Sequence, residues 1–312
     1  MADGPDLEGA RARLAGHVWR TQLLHVDALD EACGREIWLK PECLQRTGSF
    51  KFRGATNAVA RLPAGTEGVV CISSGNHAQA VARAAREAGI GCLAVMPIDS
   101  NPSKIAATAA YGAEVERDGV TSENREQIGR ARADERGWPL IHPFDDWDVL
   151  SGQGTACLEL LEDAPELDAV VTPIGGGGLL SGTALACAAT APAVAVWGAE
   201  PASGDDAYRS LAAGERIRLE RAPQTIADGV RTLQVGERPF SILREHCAGI
   251  ALVEEDALRE ALAVVWSRTK LVIEPTSALP IAALLAGAIP GRRIGVILSG
   301  GNLDAARVAG RL

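Results

Sequence analysis

Residues 45–57 read Gln-Arg-Thr-Gly-Ser-Phe-Lys-Phe-Arg-Gly-Ala-Thr-Asn and contain one of only four lysines among the 31 basic residues of the chain. Arginine supplies the rest of the positive charge, so a lysine at position 51 indicates a need for a primary amine. An amine can lose its proton and form a Schiff base with an aldehyde, which a guanidinium cannot do. Phe50 and Phe52, two of only four phenylalanines, flank Lys51 and are expected to anchor its backbone. An ordinary surface lysine between two core aromatics is the alternative interpretation.

The composition of the 312-residue chain is that of a globular protein, with 47% hydrophobic and 23% charged residues. This length allows one large domain or two moderate ones. A net charge of −9 without a basic stripe argues against nucleic acid as a partner. We expect no membrane span, because no uncharged apolar run reaches about 18 residues, and no signal peptide. The seven scattered cysteines suggest free thiols in a reducing compartment, which predicts a cytoplasmic protein.

Short apolar runs alternate with helical segments along most of the chain, which predicts parallel sheets of the α/β class. The predicted strands are 36–40, 69–73, 91–97, 114–117, 139–142, 169–174, 193–200, 249–253 and 294–299. Helices are predicted between them, including 103–111, 122–136 and 153–162. We predict two lobes, each with a mostly parallel twisted sheet flanked by helices. A small mobile lobe of residues 68–145 is inserted into a large lobe of residues 1–67 and 146–312.

Three stretches follow predicted strands at their carboxyl ends, where the active sites of open parallel sheets lie. Ser73-Ser74-Gly75-Asn76-His77 opens a helix whose amides and hydroxyls favour an anion such as a carboxylate. Gly175–Gly178, before Leu179, offers backbone amides as a phosphate cradle. Ser299-Gly300-Gly301-Asn302 ends the last strand. Each stretch also fits a plain helix cap or a tight turn.

The segment around Lys51 resembles the lysine motif of the pyridoxal-phosphate (PLP) enzymes related to threonine dehydratase and serine racemase, of fold type II. The three strand-end stretches match the same family in order, and the resemblance runs from about residue 23 to about residue 304. It implies that Lys51 binds PLP through a Schiff base and that the glycine loop with Leu179 binds the phosphate. The other cofactor-binding residues that it implies are Phe50, Asn76, Glu274 and Ser299, with Ser299 facing the pyridine nitrogen.

The same resemblance implies that the substrate is bound by the start of one helix and by one arginine. These substrate-binding residues are Ser73, Ser74, Gly75, Asn76, His77 and Arg125. A lone histidine is more often packed than catalytic, and Arg125 also fits a solvated charge on a polar helix.

A divalent cation site is predicted between Glu200 and Asp206. Two spaced carboxylates and a glycine carbonyl are ligands that a hard cation takes, with waters completing the shell. Resemblance to metal-dependent members of the family implies Glu200, the carbonyl of Gly204 and Asp206 as ligands of Mg, Mn or Ca. A solvated acidic loop is the common alternative.

The activity that the resemblance implies is β-elimination by an L-threonine or L-serine dehydratase, giving a 2-oxo acid and ammonia, with Lys51 taking the α-proton. A hydroxyl at Ser299 does not keep the ring nitrogen protonated as a carboxylate would, which favours elimination. Ser74 leaves two alternatives open. Serine racemases carry a serine there as a second catalytic acid/base, and some 3-hydroxyaspartate dehydratases carry it too.

The sequence also bears on other classes of protein. A non-catalytic PLP- or amino-acid-binding protein on the same fold stays open. A nicotinamide-dependent oxidoreductase is disfavoured, because Ser181 stands where the third glycine of G-x-G-x-x-G belongs and no acidic ribose partner is found. We expect a homodimer, as in most of the family, without a C-terminal regulatory domain, because about ten residues follow Asn302.

Overall fold

A computed structural model describes residues 4–164 and 166–304 of the chain. Its strands are β1 Leu24–His25, β2 Glu36–Pro41, β3 Gly68–Ile72, β4 Gly91–Val95, β5 Glu114–Glu116, β6 Leu140–Ile141, β7 Ala169–Pro173, β8 Ala195–Pro201, β9 Gly249–Val253 and β10 Arg293–Leu298. Its α-helices are α1 Leu7–Leu14, α2 Asp27–Cys33, α3 Lys51–Ala60, α4 Asn76–Glu87, α5 Pro102–Ala110, α6 Arg125–Arg136, α7 Trp147–Asp163, α8 Gly178–Thr190, α9 Asp206–Ala213, α10 Glu237–His246, α11 Glu255–Thr269 and α12 Pro275–Leu285. None of these helices is long and apolar enough to cross a membrane.

The larger of the two described sheets has the strand order β1-β2-β10-β7-β8-β9. Every neighbouring pair is parallel except β1 with β2. The central strands β7 and β10 are buried almost along their whole length and are nearly all apolar, because helices cover both faces of the sheet. The parallel α/β fold predicted from the sequence is therefore confirmed.

The smaller sheet has the order β5-β4-β3-β6 and is parallel throughout its described strands. All four of these strands lie between Gly68 and Ile141. The lobe boundaries at 67/68 and 145/146 stay a prediction. Residues 1–3, 165 and 305–312 of the predicted large lobe lie outside the described residues.

Helix α7 begins at Trp147, six residues before the predicted start at 153. The carboxylate of Asp146 caps it by accepting from the amides of Asp148 and Val149 at 2.8 and 3.0 Å. Its glycines are typical of a loop, yet close packing of helices requires them. A Cβ on Gly152 would lie 2.6 Å from the Cα of Gly54 in α3.

A buried group of charges joins α3 to β2 and α7. The guanidinium of Arg53 donates to Glu42 at 2.8 and 2.9 Å and to Glu159 at 2.7 Å. Lys40 Nζ lies 2.6 Å from Glu159. Arg53, Lys40 and Glu42 are completely buried. Because Lys51 is the first residue of α3, these ion pairs fix the helix that carries it.

We predict that Arg53→Met lowers the free energy of unfolding by about 3–5 kcal/mol, because the carboxylates of Glu42 and Glu159 lose their main partner inside the protein. Urea denaturation of the cofactor-free protein measures this loss. Arg130→Met is the control, since it removes an exposed pair with Glu126 that contributes about 0.5 kcal/mol or less. Equal losses in the two variants would show that the buried group does not stabilise the fold.

Candidate active site

A cavity between the two sheets lies where β3, β7 and β10 end. The described residues that line it include all the predicted cofactor- and substrate-binding residues: Phe50, Lys51, Ser73, Ser74, Gly75, Asn76, His77, Arg125, Gly175, Gly176, Gly177, Gly178, Leu179, Glu274 and Ser299. An adjoining cavity of about 260 Å³ shares Ser74, Arg125, Asp228 and Arg231 with it. The predicted metal ligands Glu200, Gly204 and Asp206 lie apart from this lining.

Lys51 opens α3 and reaches into the cavity. Its Nζ donates to the carbonyl oxygen of Pro143 at 2.6 Å and lies 5.2 Å from the centre of the Phe50 ring. Burial, with a smaller contribution from the positive charge of Arg125, lowers the pKa of the Lys51 amine to about 7. A large fraction of this amine is therefore neutral near pH 7, which is the form that attacks an aldehyde or accepts a proton.

Neighbouring residues of the protein leave no room for side chains in the glycine loop. A Cβ on Gly176 would lie 2.3 Å from the ring of Phe144, and one on Gly177 would lie 2.7 Å from Pro239. Gly177 also has a φ of +92° as the residue before α8. The first amides of α8 have no acceptor within the helix. Within the described chain, the amides of Gly175–Gly177 donate to no backbone carbonyl, so they are available to an anion such as phosphate.

Thr232 is a candidate phosphate-binding residue that the sequence analysis missed. Its hydroxyl is buried and has no hydrogen-bond partner among the described residues. It lies 3.2 Å from the position that a Cβ of Gly175 would take. A buried hydroxyl without a partner beside the glycine loop is what a bound phosphate would satisfy. No motif marks this threonine in the sequence.

The loop before α4 is held by its own hydrogen bonds and by contacts of Asn76 with Glu274 and Asn302. Ser73 Oγ accepts from the amide of Gly75 at 3.0 Å. Asn76 Nδ2 donates to Glu274 at 2.6 Å, and Asn76 Oδ1 accepts from Asn302 at 3.1 Å. One N–H of the Asn76 amide remains for an oxygen in the cavity.

His77 and Ser74 differ in their freedom to react. The Nε2 atom of His77 forms a hydrogen bond to the carbonyl of Ile141 at 2.9 Å. Burial lowers the pKa of His77 to about 3, and Lys51 adds to this shift, so the imidazole stays neutral. The Ser74 hydroxyl has no hydrogen bond to another residue of the described chain and lines both cavities.

Lys104, another of the four lysines, joins α5 to Asp228 and to Glu274, the hydrogen-bond partner of Asn76. Its Nζ lies 2.9 Å from both Asp228 and Glu274. Burial raises the pKa of Glu274, and the charge of Lys104 opposes this effect. The rarity of lysine was the signal that could have marked this residue from the sequence.

The predicted metal ligands Glu200 and Asp206 are buried carboxylates without a cationic partner in the described residues. Glu200 Oε2 and Asp206 Oδ2 form no hydrogen bond there. Burial, with a smaller contribution from the charge of Asp206, raises the pKa of Glu200 to about 9, and burial raises that of Asp206 to about 7. Two such carboxylates fit a divalent cation, which would neutralise them.

The cavity as a whole fits PLP. It presents a neutral amine for the aldehyde, free amides and an unsatisfied hydroxyl for the phosphate, and the Ser299 hydroxyl at the end of β10. These groups all belong to the predicted large lobe, and they match the chemical groups of the cofactor.

Comparison with known proteins gives one consistent result. The family model described as pyridoxal-phosphate dependent enzyme matches residues 14–300. The chain is 42% identical to a serine racemase of Dictyostelium discoideum, with 97% of this chain and 96% of the relative covered. It is 44% identical to an L-threo-3-hydroxyaspartate ammonia-lyase of Pseudomonas sp, with 98% and 97% covered. The solved structure of a T.th. threonine deaminase superposes with a TM-score of 0.92 at 51% identity, covering 96% of this chain and 97% of that one.

We predict that the cofactor-free protein captures PLP at a rate that rises about tenfold per pH unit below pH 7 and levels off above it. The reason is that the pKa of Lys51 is lowered to about 7, whereas an ordinary lysine, with a pKa of about 10.4, would give a rate still rising at pH 9. Stopped-flow absorbance measures the rate, and a simple alkylamine as reference corrects for ionisation of PLP. Lys51→Ala should abolish capture. A rate that climbs through pH 9 in the parent would contradict the lowered pKa.

Proposed function

Because the chain belongs to the pyridoxal-phosphate dependent enzyme family, we propose that it is an ammonia-lyase that eliminates the hydroxyl group of a 3-hydroxy amino acid, with 3-hydroxyaspartate preferred over serine and threonine. The observation that carries this preference is the unpaired guanidinium of Arg125. Among the predicted alternatives it favours the dicarboxylic substrate.

Arg125 is the first residue of α6 and lines both cavities. Its guanidinium has no hydrogen bond and no ion pair with a described residue, and burial lowers its pKa. The neighbouring Arg231, by contrast, already pairs with Asp99 at 3.4 Å. A half-buried cation without a partner calls for an anion from the substrate.

A second anion-binding feature is available for the α-carboxylate. Helix α4 starts at Asn76 without a side-chain cap, so its first amides and the Ser73–His77 loop can bind that group. Arg125 is then left for a second carboxylate, which 3-hydroxyaspartate has and which serine and threonine lack. With those two substrates the guanidinium would stay unpaired.

In the proposed reaction PLP, when bound, supplies an electron sink for the negative charge that develops at the substrate's α carbon. Lys51 binds the cofactor and, once released by the substrate, takes the α-proton, for which a pKa of about 7 is suitable. The amides of the glycine loop and the hydroxyl of Thr232 hold the phosphate. Asn76 supplies an N–H donor that Glu274 orients. For 3-hydroxyaspartate the products are oxaloacetate and ammonia.

We also propose that Glu200, the carbonyl oxygen of Gly204 and Asp206 bind Mg, Mn or Ca. The amide of Val235 contacts Asp206, and the next residue, Gly236, donates its amide to the carbonyl of Gly176 at 3.1 Å. A cation at this position would thus support the glycine loop from outside the cavity. The homodimer and the cytoplasmic location stay predictions.

The parent enzyme is expected to release ammonia from L-threo-3-hydroxyaspartate with a kcat/KM at least tenfold above that for L-serine or L-threonine. Arg125→Met should lower the ratio of kcat/KM for hydroxyaspartate over that for serine by about 10–100-fold, the range for a lost charged hydrogen bond. Arg130→Met, on the exposed face of the same helix, is the matched control and should leave the ratio unchanged.

Three other results of this assay would change the proposed function. An equal loss for all substrates in Arg125→Met would assign this arginine to the α-carboxylate and remove the argument for a dicarboxylic substrate. In deuterated water, abundant labelled D-enantiomer that disappears in Ser74→Ala would make the protein a racemase with side elimination. A cofactor-loaded protein that turns over none of these amino acids would be a binding protein.

A divalent cation is expected to raise the melting temperature of the protein. At a concentration 100-fold above the dissociation constant, the stabilisation is about 2.7 kcal/mol. The Glu200→Gln/Asp206→Asn variant should lose this shift without melting below the metal-free parent, because it replaces two buried carboxyl groups whose charged forms have no cationic partner. Asp205→Asn, which changes the more exposed neighbour, should keep the shift. No response of the parent to Mg, Mn or Ca would refute the metal site.

A further inference from the structure

The turn of residues 142–145 connects β6 to α7, and two of its residues line the cavity. The carbonyl oxygen of Pro143 accepts from Lys51 Nζ at 2.6 Å. The ring of Phe144 fills the space that a Cβ of Gly176 would take. The shape of this turn therefore affects the reactive amine and the glycine loop together.

The last residue of the turn is bound to the start of α10. The carboxylate of Asp145 accepts from the amides of Glu237 and Arg238 at 2.9 and 3.1 Å. The guanidinium of Arg238 lies 3.2 Å from the same carboxylate. An acidic group at the first amides of a helix is well placed to cap it. Asp145 is thus a fixed point from which the rest of the turn is held.

The first residue of the turn, His142, closes it with its imidazole. Its Nδ1 atom accepts from the amide of Asp145 at 2.9 Å, and the amide of Phe144 lies 3.4 Å from the same atom. A backbone amide only donates, so Nδ1 carries the lone pair and the proton of the neutral ring is on Nε2. Burial lowers the pKa of His142 to about 4, so the ring keeps this lone pair near pH 7. The ring also contacts that of Phe144 edge-on, with the centroids 4.7 Å apart.

We propose that His142 is a positioning residue whose Nδ1 atom holds the turn so that the Pro143 carbonyl stays against the Lys51 amine. The described cavity lining includes Pro143 and not His142, so the histidine acts through its neighbour. This inference deepens the proposed function and rests on the role of Lys51 in it, not on the choice of substrate.

The Pro143 carbonyl matters most when Lys51 is charged. The α-proton moves to Nζ while its electron pair stays with the substrate, so the amine becomes an ammonium group. A carbonyl oxygen stabilises that ammonium more than it stabilises the neutral amine. The carbonyl thus opposes the effect of burial and raises the proton affinity of Lys51. His142 would preserve this contact when the lysine leaves the cofactor.

The test is the pKa of the Lys51 amine in the cofactor-free protein. Because the chain has only four lysines, ¹³C labelling of their ε carbons gives four signals to follow with pH, and Lys51→Ala identifies one of them. His142→Phe keeps a ring and removes the acceptor. The pKa of Lys51 should then fall by about one unit or more, because a hydrogen bond to a charged group is lost. His142 is neutral, so this substitution removes no charge from the site.

His142→Asn is the matched variant, because it removes the ring and keeps an acceptor. An asparagine oxygen accepts from amides two and three residues ahead, as Asp146 does at the start of α7. It should keep the parental pKa of Lys51. In the PLP-loaded enzyme, His142→Phe should lower kcat for ammonia release about tenfold, as expected for a weaker base, with KM changed less than about twofold. His142→Asn should stay close to the parent.

An unchanged or raised pKa of Lys51 in His142→Phe would overturn the proposal. A lowered pKa in His142→Asn would also overturn it, since the ring and not the acceptor would then be needed. If His142→Phe does not fold, ¹⁵N spectra of the histidines in the parent decide, because a proton on Nδ1 of His142 at pH 7 contradicts the hydrogen bond. Failure of the parent to bind PLP or to release ammonia would overturn the proposed function and leave these pKa measurements valid.

Discussion

The ion pairs of Arg53 are the constraint on which the site depends, because they fix the start of α3. Burial alone would lower the pKa of Arg53 and raise that of Glu42, but their mutual attraction outweighs burial, so both groups stay charged. The two carboxylates balance the charges of Arg53 and Lys40. Lys51 lies two residues before Arg53, so the position of its amine is set by contacts made outside the cavity. The reactive end of the lysine can then remain without an ionic partner.

Most of the buried charged groups have an ion-pair partner, and the few that lack one stand out. The charged side chains buried in the described part of the chain are Lys40, Glu42, Arg53, Lys104, Asp148, Glu200, Asp206 and Glu274. All have an ion-pair partner within 3 Å except Glu200 and Asp206. An unpaired buried charge is costly unless a ligand completes it. The exceptions, together with the half-buried Arg125, are the groups for which we propose a metal ion and a substrate carboxylate as partners.

Local patterns in the sequence predicted the fold class and where the site should lie. Each apolar segment that forms a parallel strand near the site is followed directly in the sequence by a polar or glycine-rich turn. Contacts between distant residues were not predictable. Glu159 lies 106 positions after Arg53, which it binds. Helix α7 was predicted too short, because Gly152 carries no sign that it faces another helix. The sequence analysis explained the four glycines of residues 175–178 by a bound phosphate. The structure adds a second reason, because a Cβ at these positions would clash with Phe144 and other neighbours.

Arg125 and Lys51 are coupled through their charges, and in the proposed reaction this coupling would link substrate binding to proton transfer. The positive charge of Arg125 lowers the pKa of Lys51. A carboxylate bound to Arg125 would offset that charge and raise the proton affinity of the Lys51 amine. A better proton acceptor is needed when the α-proton leaves, which is after the substrate has bound. Before that, a low pKa keeps the amine neutral for its bond to the cofactor. The unpaired guanidinium of Arg125 thus suits both the bond to the cofactor and the later transfer of the α-proton. A substrate with a single carboxylate, bound by the α4 loop, would leave Arg125 unpaired, so the proton affinity of the Lys51 amine would not rise for the transfer.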